Sequence, residues 1–357
     1  MRLAPRRSAV SSPNIARHRF VGNTAAKELL RASVLSGKGG HAHLLIGPPR
    51  LGKRTLALWL AQLLCCPERS PADPEPCGVC NVCGRIARGT YPDVRVFSLD
   101  TQAESAERAT ASRELGIDNV RQLVSDIDLL PFQGDRKVYV LDDAEVLTEE
   151  AANALLKTLE EPPAFATLVL LATEDSGLPQ TIRSRCNPVR LRAVGTEEIY
   201  GWLRELEPDA DPTRVRRIAE LAVGRPGWAL EALRDPGLVE EHDEHVRELL
   251  DATRDGAGPR LALAEKLGRH WSSSRKGARQ EVYAELFDWL GFWRETMARA
   301  SGLPATASPY QPDLDRLASR GTETLGRAAQ QTLDAIARLD ANVNTRMAIE
   351  NLLLDLP

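Results

Sequence analysis

The feature that most constrains this chain is an apolar run, a glycine-containing turn and an apolar helix that follow one another between residues 43 and 64. His43–Ile46 predicts a buried strand and Thr55–Leu64 predicts a helix. The turn between them, Gly47-Pro48-Pro49-Arg50-Leu51-Gly52-Lys53-Arg54, matches the phosphate-binding pattern G-x-x-x-x-G-K without its final serine or threonine. A strand that passes through such a turn into a helix is typical of a parallel α/β domain.

The missing hydroxyl decides what this loop can do. Gly47 and Gly52 would let backbone N–H groups approach phosphate oxygens, and Lys53 would neutralise the phosphates. The absent hydroxyl normally ligates Mg²⁺, Arg54 cannot ligate a cation, and Thr55 points about 100° further round the helix. We expect a degenerate nucleotide site without ATPase activity, and ATP binding stays open; a turn that binds nothing is the alternative.

A second acidic element follows the apolar run Val138–Leu141, which predicts an interior parallel strand. Asp142 stands where a carboxylate holds Mg²⁺ in working sites. The next position normally carries a glutamate that orients the attacking water, and Asp143 is one methylene shorter. A displacement of about an ångström there costs on the order of a hundredfold in rate. Two solvated aspartates at a strand end are the alternative.

Strands alternate with helices up to about Arg192. Three further strands are expected, at Val94–Ser98, Thr167–Ala172 and Val189–Leu191. Helices are expected at Ala25–Leu35, after Asp118 as a cap, and before Pro162. This alternation predicts a parallel sheet.

The pattern after Arg192 is helical throughout. Gly224–Gly227 divides two helical hairpins, and Asp251–Pro259 is expected to be a linker. Two apolar stripes, interpreted as core packing, consist of Val282, Leu286, Trp289, Leu290, Trp293 and Met297, and of Ile349, Leu352, Leu353 and Leu356.

Composition narrows the class of protein. A length of 357 residues favours two or three domains. The net charge of -4 shows that the chain as a whole is not a basic nucleic-acid-binding protein. No run of eighteen apolar residues predicts a membrane span. Met1–Ser12 is basic without a following apolar region, so we expect no secretory signal and a cytoplasmic location. Asp100–Arg113 is expected to be a flexible surface loop.

Four of the six cysteines form the pattern C-x10-C-x2-C-x2-C: Cys66, Cys77, Cys80 and Cys83. This spacing predicts a tetrahedral, structural Zn²⁺ site, because four sulfur ligands leave no open position for catalysis. Cys65 competes with Cys66 as the first ligand. A metal-free cluster, a catalytic zinc, thiol redox chemistry and a knuckle that touches DNA are the alternatives, and acidic neighbours such as Glu75 speak against the last.

Several motifs together carry a family resemblance. They are His41–Leu45, the degenerate loop, the cysteine knuckle, Asn153-Ala-Leu-Leu-Lys-Thr-Leu-Glu-Glu-Pro-Pro163 and Ser184-Arg185-Cys186. With them the chain resembles, from about Phe20 to its C-terminus, the AAA+ clamp-loader subunits of bacterial DNA polymerase III.

Two subunit types of that family share these motifs, the ATPase gamma/tau and delta prime. The chain is similar to delta prime because Arg54 and Asp143 replace catalytic residues and Gly227 lies where the sensor 2 arginine would fall. It also ends soon after its third domain, and Asn342–Arg346 resembles delta prime tails. A gamma/tau-type ATPase is the main alternative; a free-standing zinc DNA-binding protein is a third.

The resemblance implies a three-domain fold behind a flexible tail over residues 1–18. A RecA-like α/β AAA+ domain with a parallel sheet covers residues 19–192, and its zinc knuckle covers residues 66–83. An all-α lid covers residues 193–250. An all-α C-terminal collar, which joins subunits in a ring, covers residues 260–357.

The resemblance also implies partners and roles. The partners are gamma/tau and delta subunits, with the sliding clamp and primed DNA reached through the complex. Arg185 is implied to act as an arginine finger on ATP held by a gamma/tau neighbour. Thr173 matches the sensor 1 position, and Cys186 is expected to be a small buried residue rather than a ligand.

Overall fold

The structure is a computed structural model that describes residues 20–35, 41–70, 75–98, 117–174, 177–254, 256–273, 278–303, 308–340 and 345–357. The expected tail over 1–18, the loop Asp100–Arg113 and the segment 342–344 lie outside these residues. The chain divides into two compact units. The first contains residues up to Pro48 together with Gly52–Leu191, and the second contains Pro49–Leu51 together with Arg192–Pro357.

The first unit is built on a five-stranded parallel sheet. Its strands are β1 (Ala42–Ile46), β2 (Val94–Phe97), β3 (Lys137–Leu141), β4 (Ala166–Ala172) and β5 (Asn187–Arg190). The strand order is β2-β3-β4-β1-β5, so β3 is interior, as expected, and β4 is the middle strand. Every residue of β1, β3 and β4 is buried, which is why most of their side chains are apolar.

Helices accompany the sheet in the same unit. They are α1 (Thr24–Leu35), α2 (Lys53–Cys65), α3 (Asn81–Ala87), α4 (Ile117–Ile127), α5 (Glu149–Glu160) and the single turn α6 (Gln180–Arg183). Asp118 lies inside the first turn of α4 rather than before it. The parallel sheet and the largely helical remainder agree with the expected fold class.

Strand β5 corrects one predicted boundary. The sequence predicts Val189–Leu191, whereas the strand is Asn187–Arg190. This strand lies at the edge of the sheet, and of its four residues only Val189 is buried. An edge strand carries little apolar signal, and it tolerates Pro188 because the sheet needs fewer backbone donors there.

The second unit is helical throughout the part that the structure describes. Its helices are α7 (Thr196–Leu206), α8 (Pro212–Leu221), α9 (Pro226–Arg234), α10 (Gly237–Arg254), α11 (Ala257–Ser272), α12 (Ala278–Ala300), α13 (Gln311–Ala318), α14 (Thr322–Asp340) and α15 (Thr345–Asp355). Both predicted stripes pack into one core, in which Met297 is partly buried. The separation into a lid and a collar stays a prediction.

The expected linker Asp251–Pro259 is wrong. Helix α10 continues to Arg254 because Leu250 and Ala252 are buried in the core, and α11 begins at Ala257. Gly256, with φ 79°, makes the turn between the two helices. Pro259 lies in the first turn of α11, where a missing N–H removes no helical hydrogen bond.

Among the helices that the structure describes, none combines the length and the apolar character that a membrane span requires.

Candidate metal centre and phosphate-binding loop

Four thiols of the first unit converge on one point. The sulfur atoms of Cys66, Cys77, Cys80 and Cys83 all lie within 4.8 Å of one another, and the Cys66 and Cys80 sulfurs are 4.0 Å apart. Sulfurs that share a tetrahedral zinc are about 3.8 Å apart, because each Zn–S bond is about 2.3 Å long. The four cysteines that the spacing selects are therefore brought together at a distance that fits a metal ion.

Local backbone geometry builds this cluster. Cys66 follows the last residue of α2 in an extended conformation, and Cys80 caps the N-terminus of α3. The Cys77 sulfur accepts the Cys80 N–H at 3.3 Å, and the Cys80 sulfur accepts the Cys83 N–H at 3.4 Å. Gly78, with φ 72°, allows the turn that returns the chain between Cys77 and Cys80. The sequence did not predict α3, because its seven residues are too few to establish a helical period.

The choice between Cys65 and Cys66 follows from the same geometry. The Cys65 sulfur contacts the backbone oxygen of Arg136 at 3.9 Å and is not in the cluster. Burial raises the pKa of the Cys65 thiol to about 12, so it stays protonated near neutral pH. Burial also raises the pKa of Cys83, and a bound cation would offset that effect by stabilising thiolates. The donor set fits a structural zinc held by Cys66, Cys77, Cys80 and Cys83.

The phosphate-binding loop connects β1 to α2. Gly52 adopts a left-handed conformation, with φ 91° and ψ 21°, directly before α2, and a glycine satisfies this without strain. The Lys53 ammonium donates to the backbone oxygens of Gly47 at 2.5 Å and Pro48 at 3.3 Å. The lysine that would bind phosphate thus contacts the carbonyls of its own loop.

The acidic side of the site lies at the end of β3. Burial raises the pKa of Asp142, although the positive charges of Arg54 and Lys53 act in the opposite direction. The Asp142 carboxylate also accepts the N–H of Asp143 at 3.2 Å. Arg54, which replaces the Mg²⁺-binding hydroxyl residue, therefore supplies a positive charge that acts on the carboxylate expected to hold Mg²⁺.

Glu145 is a residue of this region that the sequence reasoning missed. It lies in the 3-10 turn Ala144–Val146, and one of its carboxylate oxygens accepts the N–H of Thr173 at 3.1 Å. The other oxygen is buried without a hydrogen-bond partner among the described residues. The sensor 1 candidate is therefore fixed through its backbone. A single glutamate after two aspartates gives no periodic or spacing signal by which it could have been found.

Arg50, in the middle of the loop, belongs to the second unit with Gly227. The Gly227 N–H donates to the Arg50 carbonyl at 2.9 Å, and the Arg50 guanidinium pairs with Glu231 at 2.7 Å. A side chain at position 227 would place its Cβ 2.8 Å from that carbonyl, so the backbone would have to move. Close approach to Arg50 explains glycine at the expected sensor 2 position.

Arg185 lies between the single turn α6 and the edge strand β5, and its side chain is one third exposed, at 33%. Its Nε and Nη2 atoms donate to the Oε1 atom of Glu160 at 3.0 and 2.5 Å. Its Nη1 atom donates to the Thr181 carbonyl at 2.9 Å and to the Ser184 hydroxyl at 3.3 Å. The next residue, Cys186, is buried in the core of the first unit, as expected.

Comparisons with known proteins give this geometry its context. Residues 22–195 match the family described as DNA polymerase III, delta subunit. The delta prime subunit of DNA polymerase III from Pseudomonas aeruginosa is 34% identical over 267 residues, which cover 73% of this chain and 73% of that protein. The chain belongs to the delta prime family. As a member of that family it is a clamp-loader subunit of DNA polymerase III.

Relatives of this delta prime family member include gamma/tau-type subunits. The tau subunit of DNA polymerase III from Bacillus subtilis is 32% identical over 195 residues, which cover 55% of this chain and 32% of that protein. A solved gamma subunit-related protein from Thermotoga maritima is 20% identical and aligns over 92% of this chain and 97% of its own, with a TM-score of 0.36. A TM-score that low adds no argument about the fold.

Proposed function

We propose that this delta prime family member is a largely non-catalytic scaffold of a ring-shaped clamp loader and donates Arg185 to the ATP of a gamma/tau neighbour. The observation that carries the proposal is that the chain has both a partly exposed arginine in Ser184-Arg185-Cys186 and a loop with Arg54 in place of the Mg²⁺-binding hydroxyl. A guanidinium at a neighbour's γ-phosphate stabilises charge that develops in the transition state.

The chain's own nucleotide site is proposed to be degenerate. Its residues would be Gly47, Gly52, Lys53, Asp142 and Thr173. The contacts of Lys53 with its own loop, the charge of Arg54 beside Asp142 and the shortened Asp143 each remove part of the machinery for hydrolysis. We propose that these residues keep the shape of the loop and do not turn over ATP.

The proposed partners follow from the same family. They are gamma/tau and delta subunits, with the sliding clamp and primed DNA reached through the assembled complex in the cytoplasm. The helical second unit would supply the lid and the collar of the ring. A structural Zn²⁺ on Cys66, Cys77, Cys80 and Cys83 would hold the knuckle between α2 and α3. The net charge of -4 favours DNA contact through partners rather than through this chain alone.

The isolated chain is expected to have no ATP turnover, with or without primed DNA, because Arg54 replaces the residue whose hydroxyl ligates Mg²⁺ in working sites. The measurement is phosphate release by the purified protein. Lys53→Ala serves as the matched control, since it would abolish any true turnover at this loop. Robust turnover that disappears in Lys53→Ala would favour a gamma/tau-type ATPase and refute the scaffold role.

A further inference from the structure

Arg185 is held by its own chain through four hydrogen bonds. A guanidinium has five N–H donors, and the contacts with Glu160, Thr181 and Ser184 engage all three of its nitrogens. Glu160 alone takes the Nε–Nη2 edge, because both atoms donate to the same carboxylate oxygen. The Nε–Nη2 edge of the guanidinium is therefore held by one residue, which lies 25 positions earlier in the chain.

The position of Glu160 is not explained by helix stability. It is the last residue of α5, and Glu161 follows it as the C-cap. Carboxylates at a helix C-terminus are unfavourable, because the backbone carbonyls there already carry partial negative charge. Half of the Glu160 side chain is exposed, at 50%, so it contributes little to the core. Among the described residues, the partner of this carboxylate is the guanidinium of Arg185.

We propose that Glu160 is a positioning residue for Arg185, holding the Nε–Nη2 edge so that the guanidinium keeps one orientation toward the neighbouring subunit. This inference rests on the proposed function of Arg185. The ion pair is partly exposed, and such pairs contribute little to stability. Its value is orientation, since a misplacement of about an ångström at a reacting centre costs on the order of a hundredfold in rate.

The two sides of the guanidinium are held by different kinds of group. Glu160 takes the Nε–Nη2 edge, while Thr181 takes Nη1 through a backbone carbonyl. Substitution of the Thr181 side chain therefore leaves that second contact in place, whereas substitution of Glu160 removes the first. Glu160 is consequently the side chain through which the orientation of Arg185 can be tested without changing Arg185 itself.

The test uses the assembled clamp loader with gamma/tau, delta, the sliding clamp and primed DNA. We expect Glu160→Ala to lower kcat for ATP by at least half of the loss that Arg185→Ala causes, with KM and complex assembly unchanged. Glu160→Gln keeps an acceptor oxygen at the same place, so its kcat should be much closer to wild type than that of Glu160→Ala. Glu161→Ala, which removes the adjacent exposed carboxylate, is the matched control and should leave turnover unchanged.

A double substitution separates positioning from a structural role. If Glu160 acts through Arg185, adding Glu160→Ala to Arg185→Ala lowers kcat no further. An additional loss in the double variant, a Glu160→Ala kcat equal to that of Glu161→Ala, or a kcat above wild type would each overturn the inference. If Arg185→Ala itself leaves turnover unchanged, the proposed finger is refuted instead, which keeps the two failures distinct.

Discussion

Replacing Arg185 with alanine is expected to stop ATP hydrolysis at the proposed interface between this chain and a gamma/tau neighbour. Arginine fingers in well-studied phosphoryl-transfer enzymes contribute ~10³–10⁵ in rate, because the guanidinium neutralises charge on the γ-phosphate in the transition state. The steady-state rate of ATP hydrolysis by the complex should therefore lose the part that comes from this interface. The fold should survive, since Arg185 is one third exposed and lies outside the core.

The measurement is DNA- and clamp-stimulated ATP hydrolysis by complexes that differ only at position 185. Arg185→Lys is the informative companion, because it keeps the positive charge but cannot form the planar, two-pronged contact. We expect it to be impaired as well. Thermal unfolding of the two variants controls for folding. Turnover equal to wild type in Arg185→Ala would remove this residue from the mechanism.

Removal of the metal is expected to have the largest effect on stability. Structural zinc contributes an apparent ~10–16 kcal/mol in small zinc-dependent folds, because the ligands are not preformed in the unfolded chain. We expect about one zinc per chain and its loss in Cys80→Ser, since Cys80 is one of the four proposed ligands and zinc sites of this kind need a thiolate at each position. The knuckle between α2 and α3 should then lose protection from proteolysis.

Metal analysis of the purified protein, combined with limited proteolysis, tests this expectation. Cys65→Ser is the matched control, because Cys65 is adjacent to the cluster but its sulfur faces Arg136. That variant should keep its metal. A native, protease-resistant wild-type protein that contains no zinc would refute the assignment.

The sequence predicted best those elements whose burial is complete. Strands β1, β3 and β4 were located within one residue, because they are fully buried and their side chains are apolar except for His43, Lys137 and Thr167. The predicted bounds of edge strand β5 were shifted toward the C-terminus, since only Val189 is buried there. The predicted linker at Asp251–Pro259 was wrong, because its glycine and proline residues resemble a linker, whereas the buried Ala252 continues α10 to Arg254 and Pro259 fits the first turn of α11.

The candidate sites divide in a similar way. The four clustered cysteines could be predicted, because their close spacing in the sequence favours a shared metal site. The choice of Cys66 over Cys65 could not, since it depends on which way each side chain leaves the end of α2. The contacts of Glu145 with Thr173 and of Glu160 with Arg185 join residues that are far apart in sequence, and no local pattern encodes them.

The strand order has a consequence for how the chain is made. Strand β1 pairs only with β4 and β5, so residues 42–46 have no sheet partner until residues 166–190 have left the ribosome. At synthesis rates of about 5–20 residues per second, that delay is on the order of ten seconds. Throughout it the apolar segment Ala-His-Leu-Leu-Ile stays unpaired in the nascent chain. The sheet of the first unit therefore cannot be completed until just over half of the 357 residues have been made, and β1 waits longest for a partner among its five strands.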